Sequence, residues 1–69
     1  MKQNTFRNFT YFIQKNTDGT FTTGMQWDCG SGWYCEKSGF RREQDAVVYI
    51  KAEINKELAL NGRFYEVSL

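Results

Sequence analysis

The fold of this chain is decided by the stretch Phe9-Thr10-Tyr11-Phe12-Ile13-Gln14-Lys15, the turn Asn16-Thr17-Asp18-Gly19 and the return stretch Phe21-Thr22-Thr23-Gly24-Met25-Gln26-Trp27. Both stretches alternate with period two, which is typical of β-strands that bury one face. Asp-Gly between two such runs is a strong signal for a hairpin turn. These residues therefore predict an antiparallel β-hairpin.

Beyond the hairpin, the pattern predicts a turn and then a third, shorter strand that begins with Trp33 and Tyr34. The period then changes to that of a helix, which we place over residues 41–60. Its apolar stripe, at steps of three, four and four, is Val47, Ile50, Ile54 and Leu58. Asn61-Gly62 is expected to end this helix, and the renewed alternation over residues 63–69 predicts a last strand.

We therefore predict a single α+β domain that spans residues 1–69. The domain contains a three- to four-stranded antiparallel sheet, and its first strands lie within residues 9–37. One helix, residues 41–60, packs across the sheet. The C-terminal strand, residues 63–69, returns to the sheet. The predicted element order is β-β-β-α-β.

The composition excludes several classes of function. The 69 residues are 41% hydrophobic and 17% aromatic, which indicates a small packed core and not a disordered chain. No His is present, which removes imidazole catalysis and most transition-metal sites. The net charge is only +1, so the chain is neither a polybasic nor an acidic tail. We expect no enzymatic activity, no metal and no cofactor.

The predicted location follows from the lack of targeting signals. No apolar run approaches the ~20 residues of a membrane span, and no apolar segment typical of a signal peptide follows the first residues. We therefore expect a cytoplasmic protein without a membrane partner, in the host cytoplasm if it is viral. Cys29 and Cys35 are then expected to be free structural cysteines, and a disulfide between them is the alternative.

The start of the helix is the first candidate binding feature. Arg41 and Arg42 oppose the positive end of the helix dipole, and a locally unfavourable choice is a pointer to function. Two guanidinium groups beside free helix N–H groups would suit an anion or a partner carboxylate. The alternative is that both side chains are simply solvated. Ser38 is a possible N-cap residue.

The outward face of the sheet is the second candidate. If Tyr11, Ile13 and Met25 face the helix, the intervening polar residues and Phe12 face outward. Aromatic residues on such a face could stack on bases or anchor a protein interface, or the face could pair with a second copy. The candidate site for a protein or a nucleic acid consists of Phe12, Gln14, Lys15, Thr22, Tyr34, Lys37, Arg41 and Arg42.

The segment Ser38-Gly39-Phe40-Arg41-Arg42-Glu43-Gln44-Asp45-Ala46 resembles the sheet-to-helix junction of the arm-type (AP2-like) DNA-binding domains of phage integrases. Gly39, Phe40 and Ala46 match the spacing in that family, and the resemblance covers residues 9–58. It implies a three-stranded sheet that enters the major groove and a helix that backs it. By position, it implies phosphate contacts from Lys15, Lys37 and Arg41. In size and build, the chain is also similar to small phage accessory proteins.

The function predicted from the sequence is that of a small non-enzymatic binding protein. We expect an effector or regulator of the kind that phages and mobile elements encode, which acts through protein–protein contact. One alternative is a DNA- or RNA-binding module that uses the outward face and the basic helix start. Another is a small homodimeric structural protein.

Overall fold

The computed structural model of the chain describes residues 1–27 and 32–67, with side chains described for all of these except residues 27 and 61–67. Four strands form one antiparallel sheet in the order β1-β2-β3-β4, and one helix packs across it. The elements are β1 (Lys2–Phe6), β2 (Phe9–Lys15), β3 (Phe21–Trp27), β4 (Tyr34–Phe40) and α1 (Glu43–Val67). The predicted α+β class is therefore confirmed.

The predicted element order is wrong, because the described elements follow the order β-β-β-β-α. The helix begins at Glu43, not at residue 41, and runs through Asn61 and Gly62. Residues 63–67 are therefore helical where a strand was predicted, and residues 68–69 lie outside the described part. A single Gly costs a helix only about 1 kcal/mol, and a short apolar alternation does not distinguish a strand from a helix end.

The sheet gains an unpredicted strand at its N-terminal edge. β1 is polar and exposed up to its last residue, the half-buried Phe6, so it shows no apolar alternation. It is joined to β2 by the residues Arg7 and Asn8, whose φ angles are 50° and 69°. Two consecutive positive φ angles define a type I′ hairpin turn, whose twist matches that of the strands. Without Asn-Gly or Asp-Gly, the sequence carries only a weak signal for this turn.

The second hairpin turn forms as the sequence predicts. The Gly19 N–H donates to the Asn16 carbonyl at 3.0 Å, and the Asn16 N–H donates to the Thr20 carbonyl at 2.7 Å. Gly19 has a φ of 88°, a conformation that glycine adopts without steric cost. The Asp18 carboxylate accepts hydrogen bonds from the Thr20 hydroxyl at 2.6 Å and from the Thr20 N–H at 2.9 Å. Asp18 therefore has the turn-stabilising role expected of it.

The core lies between α1 and one face of the sheet. The predicted stripe does face it: Ile50 and Ile54 are fully buried, and Val47 and Leu58 pack beside them. The sheet supplies Phe9, Tyr11, Ile13 and Met25, and the helix also supplies Ala46. The buried Thr23 hydroxyl donates to the Phe12 carbonyl at 2.7 Å, so this polar group is satisfied within the core.

Strand β4 is bulged twice against β3. Phe40 pairs with Phe21, Lys37 with Thr23, and Tyr34 with Met25. Between successive pairs, β4 therefore advances by three residues and β3 by two. Cys35 and Gly39 have φ angles of 55° and 93° within these two irregularities. Each bulge shifts the alternation by one residue. As a result, residues three apart in β4 share the face that α1 covers.

No helix in the described part of the chain is long and apolar enough to cross a membrane.

Candidate functional site: the open face of the sheet

The side of the sheet opposite α1, here called the open face, carries a regular array of polar side chains. Strand alternation and register assign its members. Trp33, which precedes β4, belongs to it because its ring contacts Phe12. The open face consists of Gln3, Thr5, Thr10, Phe12, Gln14, Thr22, Gly24, Gln26, Trp33, Glu36 and Ser38.

The open face is nearly free of charge. Among the described residues, Glu36 is its one ionisable side chain, although 25% of the whole chain is charged. The described cations lie elsewhere: Lys2 binds Glu43 of the helix at 3.0 Å, and Lys51 lies 5.1 Å from the Phe6 ring centre. Depletion of charge at the centre of a surface is a property of protein interfaces.

An aromatic cluster occupies the middle of the open face. The Phe12 ring lies over Gly24, and a Cβ atom at Gly24 would come within 2.7 Å of the ring and 2.9 Å of the Glu36 Cγ. Trp33 packs edge-on against Phe12, with ring centres 4.7 Å apart and an interplanar angle of 76°. Phe12 is only 4% exposed as a result. The Phe12 ring is therefore enclosed between Gly24 and Trp33, and the half-buried Trp33 is the outer ring of the cluster.

The polar side chains around the cluster fall into two groups, those that form side-chain hydrogen bonds within the chain and those that do not. Some are already engaged: Thr22 and Ser38 share a hydrogen bond of 2.8 Å, and the Asn16 amide donates to Thr22 at 2.9 Å. Others make no side-chain hydrogen bond to any described residue, so their donors and acceptors are available to a partner. These are Gln3, Thr5, Thr10, Gln14 and Gln26.

Three of the eight predicted site residues lie on the open face. Gln14 is exposed there, Thr22 is half-buried, and Phe12 is buried under Trp33. The expectation that Phe12 offers its own ring to a partner is therefore wrong. Its ring is covered because Gly24 leaves room for it to lie flat on the sheet.

Tyr34, Lys37 and Lys15 lie on the other side of the sheet. Lys37 pairs with Thr23 and Tyr34 pairs with Met25, so both lie on the face that α1 covers. They share that face although they are three residues apart because a bulge lies between them, and period-two alternation does not predict this. The Lys37 ammonium lies 5.0 Å from the Tyr49 ring centre and 5.9 Å from that of Phe40. Lys15 pairs with Phe21, so it shares the helix side at the end of β2.

The predicted arginine pair lies between β4 and α1. Both side chains are exposed, and the Arg42 Nε donates to the Asp45 carboxylate at 3.2 Å. The Arg42 carbonyl accepts the first helical hydrogen bonds, from the N–H groups of Asp45 and Ala46. Ser38 is not the N-cap residue, because it lies in β4 and bonds Thr22. Arg41 remains an exposed cation at this corner.

Cys35 lines a pocket of about 280 Å³ between the sheet and the helix, together with Phe9, Met25, Tyr34 and Glu57. Burial raises the pKa of the Cys35 thiol, as do the carboxylates of Glu53 and Glu57, while Lys56 opposes them. Cys35 is a free, exposed residue, so the burial of its thiol is only partial, and the thiol stays protonated at neutral pH. Cys29 lies outside the described residues, as do Gly30 and Ser31 of the predicted turn.

The site contains residues that the sequence analysis did not select, namely Trp33, Glu36 and Gly24. Gly24 carried a usable signal, because a glycine inside a strand often marks the close approach of another group. Trp33 and Glu36 are three residues apart and share the open face because of the bulge between Tyr34 and Lys37, and no local pattern reports that bulge.

The chain matches no protein-family model, no curated protein and no solved structure.

Proposed function

We propose that this protein is a small non-enzymatic binding protein that acts through protein–protein contact made by its open face. The observation that carries the proposal is a charge-depleted face built around the half-buried Trp33, which packs on Phe12. Trp is among the residues that most often dominate the energy of a protein interface. Because the Trp33 ring already packs against Phe12, ordering the indole on binding would cost little conformational entropy.

The charge distribution favours a protein over a nucleic acid as the partner. Phosphate contacts from Lys and Arg supply essentially all non-specific affinity for nucleic acids. None of the residues assigned to the open face is Lys or Arg, and Glu36 would repel phosphate there. The DNA contacts that the integrase resemblance implies require Lys37 beside the outward residues, whereas it packs on the helix side. The effector or regulator role is a further step that depends on the partner.

Site-specific photocrosslinking tests the proposal. A benzophenone side chain replaces Gln14 on the open face, and in a matched control it replaces Ala52, which is exposed on the back of α1. Both proteins are irradiated in a lysate of the source organism. We expect a discrete protein adduct from position 14 that is absent from position 52. Adducts of equal yield from both positions, or from position 52 alone, would refute an interface on the open face.

A second arm tests the nucleic-acid alternative directly. Fluorescence anisotropy of labelled single- and double-stranded oligonucleotides is measured at salt concentrations that differ about fourfold. We expect no binding at low salt. Micromolar binding that collapses as salt rises would overturn the proposal in favour of nucleic acid, and an Arg41→Glu/Arg42→Glu variant would then show whether the helix start makes the phosphate contacts.

A further inference from the structure

The two edges of the sheet differ in how well they can accept another strand. β4 forms one edge, and its two register shifts and the positive φ angles of Cys35 and Gly39 break the regular spacing of its outer groups. Bulges of this kind protect an edge from pairing. β1 forms the other edge and pairs with β2 residue for residue, without a bulge. The N-terminal edge is therefore the regular one.

The hairpin turn decides which groups of β1 are free. In a two-residue hairpin, the flanking residues Phe6 and Phe9 exchange both of their main-chain hydrogen bonds. Because hydrogen-bonded pairs alternate along an antiparallel ladder, Asn4 and Lys2 also bond to β2. The N–H and C=O groups of Gln3 and Thr5 then point away from the sheet. All four residues from Lys2 to Thr5 are exposed, so α1 does not cover this edge.

We propose that the β1 edge is a dimerisation site for a second copy of this chain. The two β1 strands run antiparallel across a two-fold axis at Asn4. Gln3 of each copy then lies opposite Thr5 of the other, and these are the residues whose main-chain groups are free. The register is thus compatible with a full set of hydrogen bonds between the copies.

The side chains of β1 are complementary to themselves in this register. Gln3 faces Thr5 of the second copy on the open face, and neither side chain makes a hydrogen bond to a described residue of its own chain. Asn4 of one copy faces Asn4 of the other, and two facing amides can donate hydrogen bonds to each other. Lys2 faces Phe6 and not another Lys, so no like charges are directly opposed. This self-complementarity favours a second copy over an unrelated strand.

The charges near the edge predict how the dimer responds to salt. Lys51 of the helix lies 5.1 Å from the Phe6 ring centre, and Lys2 of the second copy approaches the same ring. Lys2 also binds Glu43 of its own chain at 3.0 Å, which partly neutralises it. The remaining repulsion is screened by added salt. Dimerisation is therefore expected to hold or strengthen as salt rises.

Pairing would join the two sheets into one sheet of twice the width, with both helices on the same side. The open faces of the two copies would become continuous through Gln3 and Thr5. The dimer does not depend on the function proposed for the open face, because its bonds lie along the edge. A failed crosslink at Gln14 and a failed dimer are thus separate results.

Sedimentation equilibrium and amide exchange test the proposal on the whole chain. The pairing of one short strand buries far less than ~1,200 Å², so we expect a weak dimer that is half-associated at about 100 µM. The mass should rise from 8.1 kDa towards twice that value with concentration. Over the same range, exchange of the Gln3 and Thr5 amide protons should slow, while that of Asn4 should change little. A monomeric mass at about 1 mM would overturn the proposal.

Two variants examine the edge by different routes. Thr5→Pro removes an N–H that the single chain does not use, and proline is tolerated at an exposed strand edge. Asn4→Glu places two carboxylates opposite each other across the axis, and Gln14→Glu makes the same charge change away from the edge. We expect Thr5→Pro to abolish the dimer and Asn4→Glu to weaken it at least about tenfold at low salt, with Gln14→Glu unchanged. A dimer insensitive to both edge variants would place the contact elsewhere and refute the proposal.

Discussion

The two faces of the sheet are stabilised in different ways. The face under α1 is sealed by long-range packing of apolar side chains, with Phe9, Ile50 and Ile54 fully buried. No described helix or strand packs over the open face, yet this face also buries a large aromatic side chain, because Phe12 lies on Gly24 and is covered by Trp33. One face thus depends on another element of the fold, and the other depends on its own neighbours across the strands.

This difference shows how a small sheet can leave one side free for a partner. A hydrophobic open face would need a second layer or would aggregate. Here, hydroxyl and amide side chains make most of the open face polar, and the aromatic rings of Phe12 and Trp33 pack against each other. The open face therefore covers the aromatic side chain of Phe12 with its own residues and leaves Trp33 half-buried at the surface.

The largest expected loss of stability comes from a substitution on the face that α1 covers. Ile50→Ala removes a fully buried side chain from the centre of the core, and such changes cost about 2–5 kcal/mol of unfolding free energy. Val48→Ala is the matched control on the same helix, because Val48 is 61% exposed and should cost less than about 0.5 kcal/mol. Urea denaturation measures both. Similar losses for the two variants would contradict the assignment of the core to one side of α1.

A smaller effect should follow from filling the space under Phe12. Gly24→Ala places a Cβ 2.7 Å from the Phe12 ring and 2.9 Å from Glu36, so the ring must move. We expect a loss of about 1–3 kcal/mol, as for other overpacked sites. The loss should shrink in a Phe12→Leu background, where the ring is absent. If Gly24→Ala stabilises the protein by reducing backbone entropy, the proposed aromatic cover is not tight.

The coupling between Phe12 and Trp33 sharpens the comparison further. A double-mutant cycle with Phe12→Leu and Trp33→Ala should give a coupling free energy of about 0.5–1.5 kcal/mol, as edge-to-face aromatic pairs do. A second cycle, Phe12→Leu with Ile50→Ala, joins residues on opposite sides of the sheet. Coupling there should be near zero if the two faces are stabilised independently. Equal coupling in both cycles would show that the faces are not separable.

The smallest effect concerns the turn at the end of the second hairpin, which belongs to neither face. Hydrogen bonds from the Thr20 hydroxyl and N–H lower the pKa of Asp18 below its ordinary value of 3.8. The folded state therefore favours the carboxylate, so this stabilisation is present above about pH 3.8 and is lost as pH falls through the lowered folded-state pKa. Asp18→Asn should be slightly less stable than the wild type at pH 7 and equal to it in strong acid. Chemical denaturation across this pH range measures the difference, and one that grows in acid would contradict the assignment.

The parts of the fold that local pattern controls were predictable. Period-two alternation identified the strands that became β2 and β3, and the Asp18-Gly19 signal located their turn. The stripe through Ile50 and Ile54 identified the helix and the side that it buries. The division of residues such as Gln14 and Thr22 from Tyr11 and Met25 followed from the same alternation.

The predictions failed where the structure of a segment depends on the neighbouring segments of the same chain. β1 carries no apolar pattern and exists because β2 offers it a free edge and Arg7 and Asn8 accept positive φ angles. The helix continues through Gly62 because one residue of poor helix propensity does not outweigh the turns on either side. An unfavourable local choice, such as a glycine within a helix, costs about 1 kcal/mol, so contacts with neighbouring structure can outweigh it.

The candidate site divides along the same line. The sequence by itself determined a polar outward face with Gln14 and Thr22 on it, since a strand with one buried face must turn its alternate residues outward. Only the tertiary structure decided that Trp33 lies on that face while Tyr34 and Lys37 lie behind it. The physical reason is that the bulges in β4 place residues three apart, such as Tyr34 and Lys37, on the same face. These bulges depend on how β4 pairs with β3 and not on the residues of β4 alone.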